Sequence, residues 1–472
     1  MDSKSLHDRI TKIFNTITLP NFMNFIRIPN TSPEFDPDWD KNNLLLKASK
    51  LIITFIKTLQ LKNTEITLLK DDNHTPFLLT ETKSSKEKEK NSILFYAHID
   101  KQVNCEGWDK GKSATNPIIE NNRLYGRGSI DDGYAIYSIL TAIKYCQDNN
   151  LYTPRILCIF ECSEESSSDD LNYYFDKLIP FFGDNISLFC CVDLTCLDYN
   201  KMWIVNCIRG VMDFDVKIYT LNNDINSNFT KGVFPDNFMI FRKLCDLIRN
   251  DKGEFLIPEL IISEDKIPKE RKKELEDVSK EIGIDFIKVL PLYNNTKPMK
   301  DDIYKLLLNN IWKVSMIIKG IDGIPDKKYE GNILSKGLKG RIQMRIPPLL
   351  NGKKAFEAIK KKFTENTPFN AKVEVNLLGN VDEGWNDQNL SDRTKKIFNY
   401  ASNVGFGKDV GFKFDGGSVP FIQYFENKYP KSQIANLGIR GYECNEHGPN
   451  ESIDLDACKK FIASLVILIS EY

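Results

Sequence analysis

The spacing of apolar residues along the first two hundred positions predicts alternating strands and helices. Short, almost wholly apolar runs are typical of buried strands, and such runs occur at 92–98, 155–162, 187–193 and 203–210. Residues 132–146 carry apolar side chains at helical spacing, and an amphipathic helix is predicted near 39–60. This alternation favours an α/β fold with a mainly parallel sheet and helices on both of its faces.

The pattern changes after Gly210. Half-exposed strands, recognised by alternating apolar and polar side chains, are predicted at 211–221, 339–348 and 371–378. Helices are predicted at 235–249, 268–283 and 352–363. The order of these elements is that of a split βαβ, ferredoxin-like α+β domain.

The last ninety or so residues return to the pattern of the first part, with a strand predicted at 434–440 between helices at 391–403 and 454–470. The economical interpretation is one α/β domain formed by residues 1–210 and 382–472. An inserted α+β domain at 211–381 interrupts it.

The amino-acid composition bears on which kinds of binding partner and which cellular location we expect. The 64 Lys and Arg residues balance 65 Asp and Glu residues, which gives no support for nucleic-acid or membrane-surface binding. The chain shows neither a secretory signal nor an apolar run of 18 residues, so we expect no membrane span. Its 11 cysteines, without C-x-x-C spacing, predict reduced thiols in a cytoplasmic protein.

Acidic residues and histidines follow several predicted strands of the first domain. His98 and Asp100 form an H-x-D at the end of one strand, and Asp193 ends another. The other members of this set lie in "GRGSIDD", "ECSEES" and "NEHGPNE", and are Asp131, Asp132, Glu164, Glu165 and His447. Open α/β sheets place their sites at the carboxyl ends of strands. Ligands of this kind without Cys suit two divalent ions, zinc first and manganese or cobalt as alternatives.

Each of these residues also has an ordinary structural explanation. The dipole of a helix favours acids at its start, which accounts for one of the two adjacent aspartates. Adjacent glutamates are commonly solvated, a strand-terminal Asp is commonly a cap, and a lone His is commonly structural. Their joint occurrence in this order is what favours a metal centre.

The order H-x-D, GRG-x-x-DD-G, S-E-E-S, strand-end Asp and H-G-P-N-E resembles the co-catalytic dinuclear zinc metallopeptidase family. Its members include carboxypeptidase G, succinyl-diaminopimelate desuccinylase, acetylornithine deacetylase and aminoacylase-1. The resemblance extends from residues 27–39 to the C terminus. It implies that residues 1–210 and 382–472 form the catalytic metallopeptidase domain and that residues 211–381 form the lid or dimerisation domain. The motifs "MRIPP" (344–348) and "FDGGSVP" (414–420) favour the branch of the carnosine and cytosolic non-specific dipeptidases.

This resemblance implies a role for each member of the set. Asp131 corresponds to the carboxylate that bridges both metals, and its peptide bond to Asp132 is cis in the family. The remaining ligands correspond to His98 and Asp193 for one metal, and to Glu165 and His447 for the other. Asp100 would orient a ligating histidine through its second ring nitrogen, and Glu164 would be the general base.

The resemblance also assigns substrate contacts. Arg345 corresponds to a lid arginine that grips the free carboxylate of the substrate, and Ser418 to a further contact. Asn332 falls where dipeptidases carry a substrate-contacting threonine. The chain departs from the family at Asn226, which stands where a lid histidine, reaching the active site across the dimer, helps to hold the oxyanion.

The expected function is hydrolysis of a peptide bond in dipeptides or small peptides by two metal ions and a Glu general base. A deacylase of N-acyl amino acids would use the same groups and stays open. An impaired, metal-binding homologue is the third hypothesis; Glu164 argues against it and Asn226 in its favour. A homodimer through the inserted domain is compatible with the sequence, which does not decide it.

Overall fold

The structure is a computed structural model that divides into two compact units. It describes residues 2–86, 91–166, 168–283, 292–294, 296–324, 328, 331–387, 390–417 and 419–472. The first unit comprises Met1–Asn206, Asp387–Lys413 and Phe421–Tyr472, and the second comprises Cys207–Asn386 and Phe414–Pro420.

The strands and helices are numbered along the chain. The strands are β1 (Thr64–Leu69), β2 (Phe77–Thr82), β3 (Ser92–His98), β4 (Ile118–Glu120), β5 (Arg123–Tyr125), β6 (Arg155–Glu161), β7 (Leu188–Cys191), β8 (Trp203–Ile208), β9 (Gly210–Tyr219), β10 (Ile225–Asn226), β11 (Ser315–Asp322), β12 (Ile333–Leu334), β13 (Gly337–Ile346), β14 (Lys372–Asp382), β15 (Trp385–Asn386), β16 (Gly411–Asp415), β17 (Gln433–Leu437) and β18 (Ser452–Asp454). The helices are α1 (Ser3–Ile13), α2 (Leu19–Ile26), α3 (Trp39–Asn42), α4 (Leu44–Leu59), α5 (Tyr134–Asp148), α6 (Asp169–Phe182), α7 (Asn237–Asp246), α8 (Lys269–Ile282), α9 (Ile303–Trp312), α10 (Gly352–Glu365), α11 (Asp392–Phe406), α12 (Pro420–Lys428) and α13 (Leu455–Glu471). None of the helices in the described part of the chain is long and apolar enough to cross a membrane.

The main sheet of the first unit runs in the order β1-β2-β6-β3-β7-β17-β8. Its centre, β6-β3-β7-β17, is parallel, which confirms the predicted α/β class. The flanking pairs are antiparallel, so the sheet is mixed. The sequence pattern does not reveal the antiparallel strands β1 and β2, because they precede the first predicted alternation of strands and helices. Strand β1 alternates in burial, as an edge strand does.

The burial of apolar side chains explains why the central strands and helices form. All seven residues of β3 are buried, as expected for a strand covered on both faces. Helix α5 is buried along most of its length and packs against α13, which in turn packs against α11. The helix predicted near 39–60 is divided into α3 and α4 because Asn43, between them, adopts a left-handed conformation with φ of 58°.

The second unit contains a sheet in the order β11-β13-β9-β14, with all three pairings antiparallel. This is the ferredoxin-like strand order, as predicted. Apolar residues of α7 and α10 pack with those of the sheet in one core. The sequence pattern misses β11, because Ile317 and Ile318 are both exposed and a bulge before Gly320 breaks the alternation.

Candidate metal centre

The acidic residues and histidines singled out from the sequence lie at one end of the main sheet. His98 is the last residue of β3, and Asp193 follows β7. Glu164 and Glu165 lie in a single turn of 3-10 helix just after β6. Because β6, β3 and β7 are parallel neighbours, their carboxyl ends meet at the same edge. The fold of the first unit therefore brings together side chains that are far apart in sequence.

Five of these residues form two overlapping clusters. The ligand atoms of each cluster lie within 4.8 Å of one another, and the clusters are His98–Asp131–Asp193 and Asp131–Glu165–His447. Asp131 belongs to both, with Oδ1 3.1 Å from His98 Nε2 and Oδ2 2.8 Å from His447 Nε2. Each oxygen of this carboxylate thus faces a different histidine, as a bridging ligand requires.

Asp100 organises the residues around His98. Its carboxylate accepts hydrogen bonds from the backbone N–H groups of Glu164 and Glu165, at 3.2 and 3.1 Å. Its backbone oxygen lies 3.0 Å from His98 Nδ1. This contact leaves His98 Nε2 directed at Asp131. Asp100 is therefore placed to orient both a histidine and the glutamate turn.

The two adjacent aspartates occupy different environments. Asp131 and Asp132 are joined by a cis peptide bond within the π-helical turn Ser129–Gly133 that precedes α5. Asp132 belongs to neither cluster, and it accepts a hydrogen bond from the backbone N–H of His98 at 3.3 Å. The second aspartate thus supports the end of β3 rather than facing His447.

A buried ion pair holds the two loops of the centre together. Glu451 Oε1 accepts hydrogen bonds from the backbone N–H groups of Gly128 and Ile130, at 2.8 and 3.2 Å. Its other oxygen pairs with Arg127, which also donates to the backbone oxygen of His447 at 2.9 Å. Both residues stand inside the motifs "GRGSIDD" and "NEHGPNE", but nothing in either motif indicates that they pair.

Burial and mutual repulsion set the protonation of the acids. Burial, reinforced by Asp193, raises the pKa of Asp132 and of Glu164 well above the usual range. Burial raises the pKa of Asp193 to about 7, against the opposing effect of Arg440. The pKa of Asp131 is instead held well below its usual range, because Arg440 and the two histidines outweigh the effect of burial. Asp131 is therefore the carboxylate that is most firmly ionised.

The two histidines are basic in these surroundings. Burial by itself lowers the pKa of His447, but hydrogen bonds to Asp131 and Glu165 outweigh it and raise the pKa to about 11. The pKa of His98 is likewise raised well above its usual value by Asp100 and Asp131, despite complete burial. These surroundings thus favour the protonated form of both imidazoles, and a metal ligand must give up that proton.

Arg440 is a member of this centre that the sequence did not reveal. Its Nη1 lies 2.9 Å from Asp131 Oδ1 and 2.8 Å from Asp193 Oδ1. A lone arginine in "GIRGY", at the end of a predicted strand, carries no motif that would have identified it. Only the return of the chain through β17, beside β7, brings it to the two carboxylates.

The side chains present fit a pair of divalent cations. Glu165 Oε1 is buried and has no hydrogen-bond partner among the described residues. Imidazole and carboxylate donors without thiolate are the set that zinc, manganese and cobalt accept in dinuclear sites. An unpaired, buried carboxylate oxygen beside two histidines is otherwise costly.

Three of the four predicted substrate contacts, Arg345, Asn226 and Asn332, lie in the second unit. Arg345 lies near the end of β13, opposite Val211 and Ser315; burial lowers its pKa, against the opposing effect of Asp213 and other acids. Asn226 ends β10, is exposed, and accepts a hydrogen bond from the backbone N–H of Asn228. The backbone oxygen of Asn332 accepts from Ser227 N–H. Ser418 lies outside the described residues. Their roles stay predictions.

Comparisons with known proteins find relatives that match most of the chain. The family model described as Peptidase family M20/M25/M40 matches residues 94–471. The Cys-Gly metallodipeptidase DUG1 of Candida albicans is 23% identical over 474 residues, covering 95% of both chains. The human Beta-Ala-His dipeptidase is 23% identical over 393 residues, or 80% of this chain and 74% of the relative. The crystal structure of human carnosine dipeptidase 1 superimposes with a TM-score of 0.79 at 17% identity, covering 100% of this chain and 98% of that one.

Proposed function

The chain belongs to peptidase family M20/M25/M40, and from that premise we propose that it hydrolyses the peptide bond of dipeptides or other small peptides with two divalent metal ions. The observation that carries this proposal is the position of Asp131, whose two oxygens face two different histidines. The relatives described above are named as dipeptidases, which favours small peptides over proteins as substrates.

In this proposal His98 and Asp193 hold one ion, Glu165 and His447 hold the other, and Asp131 bridges them. Zinc is the first choice, with manganese and cobalt as alternatives. When bound, such a pair supplies an activated water and polarises the scissile carbonyl. Gln102 donates a 2.7 Å hydrogen bond to Glu165 Oε2, and so orients a proposed ligand carboxylate.

Glu164 is the proposed general base. Its backbone is fixed by Asp100, and its carboxylate lies within 4.8 Å of the ligand atoms of His98 and Glu165. Burial, reinforced by Asp193, raises the pKa of Glu164, which makes its carboxylate a stronger proton acceptor. In this proposal it takes a proton from the water and gives it to the leaving amine. Asp132 is unsuited to this role because its carboxylate accepts from the backbone of His98.

The second unit is proposed to bind the substrate. Arg345 would pair with the free carboxylate of the peptide, and Ser418 and Asn332 would contact the rest of it. Asn226 would stand in for a lid histidine, in a homodimer formed through this unit. All 11 cysteines are free thiols, which supports a reducing, cytoplasmic location.

A substrate panel tests the function. The metal-stripped full-length protein is reloaded with zinc, manganese or cobalt and assayed on free dipeptides and on N-acetyl amino acids, with the Glu164→Gln variant as control. We expect hydrolysis of dipeptides that requires both a metal and Glu164. Hydrolysis of the acetylated compounds alone would identify a deacylase. Two bound ions without turnover of any substrate would identify a metal-binding homologue.

A further inference from the structure

Arg440 occupies a fixed position beside the cluster of His98, Asp131 and Asp193. The side chain is 14% exposed, and its Nη1 contacts one oxygen of Asp131 and one of Asp193. Its backbone is anchored to the segment that follows β7, because its oxygen accepts from Cys196 N–H at 2.9 Å. The same segment carries Asp193, so Arg440 and Asp193 are held side by side.

The oxygens that Arg440 contacts are ligand atoms of one proposed metal position. Asp131 Oδ1 is the oxygen that faces His98, and Asp193 Oδ1 is the oxygen nearest to His98 Nε2, at 3.9 Å. A guanidinium group keeps its charge at any ordinary pH, so it neutralises these carboxylates permanently while it stays there. A divalent cation on the same two oxygens would meet a positive charge at close range, which is unfavourable.

The other metal position does not share this feature. Among the ion pairs and hydrogen bonds of the described residues, those of Arg440 include neither Glu165 nor His447. Asp131 presents its second oxygen, Oδ2, to His447. The two clusters therefore differ in charge although they share a bridging carboxylate.

Glu446 offers the guanidinium an alternative partner. Its Oε2 lies 3.3 Å from Arg440 Nε, and its side chain is 37% exposed, against 2 to 3% for Asp193 and Asp131. A small rotation of the arginine toward this carboxylate would leave Asp131 and Asp193 while keeping an ion pair. Such a rotation leads toward solvent, where the charge is readily hydrated.

We propose that Arg440 is an internal cation that competes with the metal ion at the His98–Asp131–Asp193 position. The His447–Glu165 side then loads first, and the second ion binds only after Arg440 has turned toward Glu446. This inference rests on the ligand set of the proposed function. It gives the protein one tight and one weaker metal position, with the difference set by a residue that is not itself a ligand.

Zinc binding to the metal-stripped full-length protein tests this inference. Calorimetry with a competing chelator, together with metal content, would compare wild type, Arg440→Gln and Glu446→Gln. The matched control is Arg155→Gln, because Arg155 is also partly buried and multiply bonded but begins β6, at the end of the strand away from the centre. Circular dichroism verifies that each variant is folded.

We expect wild type and Arg155→Gln to bind one zinc ion tightly and a second more weakly. Arg440→Gln should strengthen the second event by roughly 10- to 100-fold, the size of effect that residues adjoining ligands have on metal affinity. Glu446→Gln should weaken the second event and leave the first unchanged. The metal-stripped Arg440→Gln protein should also melt at a lower temperature than wild type, because its buried carboxylates lose their cation.

The outcomes separate this inference from the proposed function. Two zinc ions bound with identical affinities in wild type and Arg440→Gln would overturn the role of Arg440 and leave the ligand set intact. Zinc binding by neither protein would overturn the ligand set itself, and this inference with it. If Arg440→Gln does not fold, an unchanged second event in Glu446→Gln overturns the inference.

Discussion

Arg127 and Glu451 form a fully buried ion pair that ties the loop carrying His447 to the turn carrying Asp131. The guanidinium donates to the backbone of the first loop, and the carboxylate accepts from the backbone of the second. The proposed ligands His447 and Asp131 are therefore held in place by an ion pair to which their own side chains do not belong. The pair acts by positioning, since its side chains bond to the backbone of both loops.

The first prediction concerns this pair. Glu451→Gln leaves Arg127 buried without a counter-charge, and we expect the free energy of unfolding to fall by about 3 kcal/mol. Urea denaturation measures the change, with Glu443→Gln as control, because Glu443 is 76% exposed and contacts Arg123 at 3.6 Å. Equal stability of the two variants would show that the buried pair contributes little.

The second prediction separates the two adjacent glutamates. Glu164→Gln removes the basic oxygen at constant size, so turnover should fall by about two to four powers of ten while metal content is retained. Glu165→Gln should instead lower metal content, because a ligand oxygen is lost. Elemental analysis and steady-state kinetics on both variants test this. Loss of metal only in Glu164→Gln would mean that the roles are reversed.

The third prediction is that metal affinity rises with pH. His447, with a pKa raised to about 11, holds at neutral pH a proton that a ligand must release. Each proton released makes the affinity about tenfold stronger per pH unit, and the slope steepens below the pKa of Asp193, about 7. Calorimetry in buffers of different ionisation enthalpy counts the protons. An affinity that is constant from acid to neutral pH would contradict this assignment.

The fourth prediction concerns Arg345. If this residue binds the terminal carboxylate, Arg345→Ala should raise KM for a free dipeptide far more than for the same dipeptide amidated at its C terminus. Arg341→Ala is the matched control, because Arg341 lies four residues earlier on the same strand and pairs with Asp215. An equal rise in KM for both substrates would show that Arg345 does not recognise the terminal carboxylate.

The fifth prediction concerns Asn226. An amide can donate a hydrogen bond but cannot become a cation, and loss of one oxyanion donor costs about 3 kcal/mol, or roughly a hundredfold in rate. We therefore expect an active enzyme that Asn226→His makes faster on a dipeptide panel, with Asn228→His as a neighbouring control. Light scattering reports the oligomeric state of each protein. Unchanged rates on every dipeptide would place this position outside the active site.

Much of the local structure could be predicted from the sequence. Strand β3 and helix α5 follow from apolar patterns that short-range rules recognise, since burial on two faces or along a helix leaves a periodic signal. The ferredoxin-like order of the second unit was predictable for the same reason, apart from β11, whose exposed isoleucines and bulge remove that signal. The acids and histidines of the centre were recognisable through their order within known motifs.

The contacts between charged side chains depend on the tertiary structure. Arg440 reaches Asp131 across 309 positions of sequence, and Glu451 reaches Arg127 across 324. No periodicity records such contacts, because they depend on how β17 pairs with β7 and how β18 pairs with β5. Electrostatic interactions are set by distance and burial, which the chain acquires only when it folds. The residues of the centre could thus be identified from the sequence, whereas the cation between Asp131 and Asp193 could not.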